Sequence, residues 1–219
     1  MTHIRPGKLA TIPEAKYIYV ARNPWDVCSS LYDLHLKLFE RADRMSVEGY
    51  VSTFLDGNVA IGPYFEHVNA GYVRRNEPNF FFVTYEEMIK DCGGVVLLLA
   101  DFLGGDYAEW LRSDPEVLSD VIRKCSAPYT RTLFNVPKDK FLEMAFKNPN
   151  ISREAALRRT VDMEDTVTAV RKANIGDWRE TFSKTALRLT LDKINSTPQA
   201  KFVKELWGDI YDQVICLSS

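Results

Sequence analysis

Lys16-Tyr17-Ile18-Tyr19-Val20-Ala21-Arg22-Asn23-Pro24-Trp25-Asp26 is the stretch on which the reading of the fold turns. Lys16 to Ala21 is rich in β-branched and aromatic residues, the pattern of a short buried strand. Asn23 suits an N-cap, Pro24 suits a first helical position, and Asp26 stands where a capping-box acid reaches back. A strand therefore passes through Arg22 straight into a helix expected to run to about Arg41.

Outward from that joint, helical stretches are expected at Val47 to Leu55 and at Gly62 to Arg75. In the latter, Tyr64, Phe65, Val68 and Tyr72 recur at helical spacing. Asn79 to Thr84 reads as a second buried strand. Tyr85-Glu86-Glu87 leaves it, and a helix containing Val95, Leu98 and Leu99 follows. Asp114-Pro115 opens another helix, to about Lys124. Cys125 to Arg159 has no periodicity and is rich in Pro, Asn, Lys and Arg, so it is expected to be an irregular loop covering an active site or substrate. Thr185 to Ile194 and Pro198 to Val214 are expected to close the domain as helices. Strands alternating with helices indicate an α/β fold with a parallel sheet. Two strands are clear, so the sheet pattern reads as incomplete. With no repeat, low-complexity tract or linker, residues 1–219 read as a single domain.

Composition narrows the function classes. The chain has 219 residues, 46% hydrophobic and 26% charged, with a formal net charge of -2. That balance gives no bulk attraction to nucleic acid or to an anionic membrane. No apolar run approaches a membrane span, and the first residues lack the apolar core of a signal peptide. Cys28, Cys92, Cys125 and Cys216 have neither CxxC nor Cys/His ligand spacing, so no metal is expected, and free thiols in a reducing cytoplasm are.

Two places could hold an anion. Arg22 leaves a strand's carboxyl end at a helix N-terminus, where backbone N–H groups and a guanidinium fork both suit phosphate. Ser30 lies about two turns along that helix, on the same side. The alternative is that Arg22 pairs with a carboxylate and Ser30 is a surface hydroxyl. Arg171-Lys172, before the Gly176-Asp177 turn, could bind an anion or be a solvated basic turn. Tyr85, at a strand exit, could meet a nucleotide base or pack in the core, and Trp178 reads as a core or lid aromatic. His35 and His67 read as packing or capping residues, and His3 as a terminal residue with no role of its own.

In order along the chain, these segments resemble the cytosolic sulfotransferases, which use 3′-phosphoadenosine 5′-phosphosulfate (PAPS). Residues 16–32 (KYIYVARNPWDVCSSLY) resemble the family's 3′-phosphate-binding strand–turn–helix. Residues 54–68 (FLDGNVAIGPYFEHV) are similar to its Phe-Leu-x-Gly…Phe-x-His-Val stretch. Residues 79–91 (NFFFVTYEEMIKD), with Phe102-Leu103-Gly104, resemble its Tyr-Glu-x-Met and Phe-Leu-Gly segments. Residues 171–182 (RKANIGDWRETF) resemble its Arg-Lys-Gly-x-x-Gly-Asp-Trp-Lys signature.

The resemblance implies a P-loop-like three-layer α/β fold with a central parallel sheet, its first P-loop strand missing from this chain. It implies a PAPS site in which Arg22, Ser30, Arg171 and Lys172 hold the 3′-phosphate and Tyr85 contacts adenine. Ser126 and Ala173 carry over as further nucleotide contacts, and Thr2-His3 makes His3 the catalytic base. An imidazole titrating near neutrality suits taking a proton from an acceptor hydroxyl or amine. The implied partner is a small-molecule acceptor of the phenol, catecholamine, alcohol or sterol type.

Departures shape the expectation. Met1 stands where the family has lysine, and its 5′-phosphosulfate loop has no counterpart. Ala173 replaces a glycine, and Lys184-Thr185 with Arg188 break the dimerisation pattern. A catalytically inactive chain keeping only the 3′-phosphate half-site is therefore the alternative. A small-molecule kinase is a further one, but G-x-x-x-x-G-K-[ST] does not occur.

Overall fold

The computed structural model describes residues 12–38, 44–59, 61–133, 135–137, 140, 166–168 and 173–219. Two strands, β1 (Tyr17–Ala21) and β2 (Phe80–Thr84), pair in parallel with Tyr17 opposite Phe80 and Ala21 opposite Thr84. Between them run α1 (Pro24–Leu38), α2 (Val47–Leu55) and α3 (Tyr64–Tyr72), which makes the unit an α/β crossover.

The pleat sends alternate side chains to opposite faces. On one face Tyr19 and Ala21 pack into the main core, where Trp25, Phe54, Val68, Trp178, Phe202 and Val214 are buried. Tyr19 stacks on Phe82 across the strands, with ring centroids 5.5 Å apart. Helix α3 approaches this face closely because Gly71 has no Cβ, which would stand 2.8 Å from the Tyr19 ring. On the other face Phe81 packs on Phe102 of α5 (Cys92–Leu103), so helices lie on both faces of the sheet. A second small core, Ala100, Ala108 and Leu111, joins α5 to α6 (Tyr107–Ser113). Helix α7 (Pro115–Cys125) packs on both of these helices.

The chain closes through α9 (Trp178–Thr181), α10 (Lys184–Ser196), a 3-10 turn (Pro198–Ala200) and α11 (Phe202–Ser218). Helix α10 packs on α2 and α11. Deep in this layer, Trp25 Nε1 donates to Thr190 Oγ1 at 2.8 Å. Helix α11 breaks its helical dihedrals at Trp207.

Several expectations need correction. Strand β1 is half-buried rather than buried: Ile18 and Val20 are 49% and 52% exposed. The helix expected after β2 is two, α4 (Tyr85–Lys90) and α5, separated at Asp91, whose carboxylate caps α5 by accepting from Gly94 N–H at 2.9 Å. Helix α6 has no counterpart in the sequence reading. The loop expected over Cys125 to Arg159 begins with helix α8 (Ala127–Leu133) and strand β3 (Asn135–Pro137). That strand pairs antiparallel with β4 (Thr166–Thr168). Backbone pairing between segments some thirty residues apart leaves no local sequence pattern, which is why it went unforeseen. No described helix is long and apolar enough to cross a membrane.

Candidate functional site

Arg22 follows β1, and its position is fixed from below. Asn23 caps α1: its Oδ1 accepts from Asp26 N–H at 2.8 Å. The expected capping box is completed differently, because Asp26 does not reach back to Asn23 N–H. That donor, at 3.1 Å, and Asn23 Nδ2, at 2.6 Å, both go to Glu86 Oε1 on α4. The other Glu86 oxygen accepts from Trp207 Nε1 at 2.7 Å. Asp26, fully buried, instead accepts from Asn23 Nδ2 at 2.8 Å and from Gly176 N–H at 2.9 Å. Gly176 has φ +94, which favours glycine at this turn.

Asp26 and Glu86 thus tie four segments together at the helix N-terminus, and their charge suits its positive end. This changes the expected anion chemistry. Pro24 has no N–H, and the Asp26 N–H is taken by Asn23.

The Arg22 guanidinium lies over the Tyr85 ring, 4.6 Å from its centroid. Its Nη2 donates to Asn174 O at 2.8 Å and stands 3.7 Å from Asp26 Oδ2. Arg22 Nε is buried and has no partner among the described residues. An orphaned donor on a cation is costly unless a further acceptor completes it.

The pocket beside it, about 290 Å³, is lined by Arg22 and Ser30 together with Tyr19, Val27, Tyr64 and His67. Tyr64 OH donates to Arg22 O, and Tyr19 OH meets His67 Nδ1 at 2.5 Å. Burial pushes the hydroxyls of Tyr19 and Tyr64 well above the usual phenol range, so both act as neutral hydrogen-bonding groups.

Of the residues named from the sequence, Arg22 and Ser30 share this pocket, and Tyr85 lies against Arg22. Tyr85 is part-buried, and burial raises its hydroxyl above the ordinary value. That hydroxyl donates to Ala173 O at 3.0 Å. Ala173 takes φ +58, the left-handed conformation that favours the glycine it replaces. Ser126 does not line the pocket; it immediately precedes α8, its Oγ accepting from Tyr129 N–H and its carbonyl from Thr130 N–H. Trp178 is wholly buried in the core. His35 Nε2 accepts from Met45 N–H, a packing role. His3, Arg171 and Lys172 lie outside the described residues. Glu86 and Trp207 were missed. The one available signal was the acid following Tyr85, whose role depends on a tryptophan 121 residues away.

The model of the sulfotransferase domain matches residues 2–203. Sulfotransferase 2B1 of Rattus norvegicus is 31% identical over 80% of this chain and 45% of its own length. The 3-beta-hydroxysteroid sulfotransferase of Cavia porcellus is 31% identical over 89% of this chain and 59% of its own. The chain thus spans about half the length of the curated relatives it matches. Among solved structures, retinol dehydratase in complex with androsterone and the inactive cofactor PAP superposes with a TM-score of 0.57. It is 25% identical, over 84% of this chain and 48% of that one.

Proposed function

Because this chain belongs to the sulfotransferase family, we propose that it binds PAPS and transfers a sulfuryl group to a hydroxyl or amine of a small-molecule acceptor. The observation that carries the reading is the buried, unpartnered Nε of Arg22 beside a pocket shared with Ser30. It sits at the carboxyl end of a parallel strand, where α/β sheets bind ligands. A phosphate oxygen is an acceptor that would satisfy it.

When bound, PAPS supplies the activated sulfuryl group. Arg22 and Ser30 hold the 3′-phosphate, joined by Arg171 and Lys172. Tyr85 borders the adenine, and Ala173 and Ser126 contribute at the nucleotide's edge. Asp26 and Glu86 keep Arg22 in register with the Ala173–Gly176 turn. His3 takes the proton from the acceptor as it attacks. The acceptor is of the phenol, catecholamine, alcohol or sterol class; the guinea-pig relative, named for a 3-beta-hydroxysteroid, supports the hydroxyl choice. The working place is the cytoplasm.

The test is calorimetric titration of the chain with 3′-phosphoadenosine 5′-phosphate, beside radiolabelled-PAPS turnover against phenols, catecholamines and sterols. Arg22→Ala should weaken binding by roughly 30-fold, the loss of about 2 kcal/mol for a charge-assisted contact. Unchanged affinity would overturn the role of Arg22. Binding without turnover would favour a non-catalytic nucleotide-binding chain.

A further inference from the structure

Strand β1 pairs with β2 as far as Ala21 opposite Thr84, so the ladder ends one residue before Arg22. The peptide joining Arg22 to Asn23 is held by side chains instead. Its carbonyl, Arg22 O, accepts from Tyr64 OH of α3. Its N–H, on Asn23, donates to Glu86 Oε1 of α4 at 3.1 Å. A trans peptide is planar, with C=O and N–H on opposite edges, so two such bonds fix its rotation. That rotation sets the direction in which the Arg22 side chain leaves the backbone.

Each anchor is itself held. Tyr64 is 5% exposed, its ring centroid 5.5 Å from that of Phe54 and 5.2 Å from that of Phe65, the latter edge-on. Helix α3 is tied to β1, because Tyr19 OH donates to His67 O at 3.1 Å. Glu86 is held by the indole of Trp207 at 2.7 Å. The Tyr64 hydroxyl has one hydrogen, and it is spent on Arg22 O. Tyr64 lines the pocket, yet it has no donor left for an anion there.

We propose that Tyr64 is a positioning residue for 3′-phosphate recognition: with Glu86 it clamps the Arg22–Asn23 peptide and so aims Arg22 at the pocket. This rests on the PAPS reading above. A guanidinium fork recognises phosphate by direction as well as by charge, and a long side chain amplifies any tilt at its root. Asn174 O and the Tyr85 ring hold the far end of Arg22. The clamped peptide holds the root.

Tyr64→Phe keeps the ring and removes only the hydroxyl. The test titrates 3′-phosphoadenosine 5′-phosphate by calorimetry into the wild type, Tyr64→Phe, Arg22→Ala and the double variant, with urea unfolding of each alongside. Adenosine 5′-phosphate, which lacks the 3′-phosphate, is the control ligand. Tyr64→Phe should weaken the bisphosphate by roughly 3- to 30-fold, from the worth of one hydrogen bond up to the whole contribution of Arg22. The control ligand should bind unchanged. In the Arg22→Ala background, Tyr64→Phe should cost no further affinity. The proposal is overturned if both ligands weaken equally, as a loss of folded protein would give. It is equally overturned if the loss persists without Arg22, as direct contact with the ligand would give. Wild-type protein that fails to bind the bisphosphate would end the PAPS reading and the clamp's role with it. Wild-type binding that Tyr64→Phe leaves intact would sink the positioning role alone.

Discussion

Replacing Glu86 by glutamine keeps the side chain's shape and removes one acceptor. In the wild type, one carboxylate serves two sides: Oε1 accepts from Asn23 N–H and Nδ2, and Oε2 from Trp207 Nε1. Glutamine presents one oxygen and one NH2. With the oxygen toward Asn23, the NH2 faces the indole N–H, and two donors oppose each other. Turned the other way, Asn23 loses both of its bonds to Glu86. Asn23 is fully buried and Trp207 is 3% exposed, so water is poorly placed to fill either gap.

The cheaper arrangement abandons the indole, losing a charge-assisted bond and stranding a buried donor, for about 2–4 kcal/mol in all. Trp207→Phe removes that donor first. Glu86→Gln added to it should then cost only about 1 kcal/mol, the weakened charge assistance on the Asn23 side. Urea unfolding followed by far-UV circular dichroism measures all four proteins of the cycle. The reasoning fails if Glu86→Gln lies within about 0.5 kcal/mol of the wild type, or if the two changes add within that margin.

Other outcomes follow from the same geometry. At Ala173, with φ +58, Ala173→Gly should leave stability equal or better by up to about 1 kcal/mol, whereas Ala173→Val should cost about 1–2 kcal/mol. Equal stability of the alanine and valine forms in urea would contradict the left-handed assignment. At His35, burial first and the Arg44 charge second hold the imidazole below its ordinary 6.5. The unfolded chain therefore protonates first, so stability should fall as pH drops through 6.5 toward the folded value. Protonation also removes the Nε2 acceptor for Met45 N–H. His35→Gln should flatten urea midpoints between about pH 7 and pH 5, and an unchanged slope would refute the assignment.

Much of the core unit was legible. Tyr17–Ala21 and Phe80–Thr84 announce themselves as strands because β-branched and aromatic runs are local signals. Asn23-Pro24 likewise fixed the start of α1 within the chain's own neighbourhood. The resemblance of the ordered segments to sulfotransferases also needed no coordinates, since it rests on residue identity and order.

What tertiary structure decided is which polar groups answer one another. Asp26 has the spacing of a capping-box acid, yet its carboxylate turns to Gly176, 150 residues on. Glu86 looks like an ordinary first-turn acid, yet it closes the cap of α1 and receives the indole of Trp207. Arg22 was open between a phosphate and a carboxylate. The fold sets it 3.7 Å from Asp26 and still leaves Nε without a partner. Sequence patterns report periodicity and backbone preference, which act over a few residues. A buried donor's choice of acceptor depends on what packing brings within about 3 Å, and packing joins segments that share no pattern.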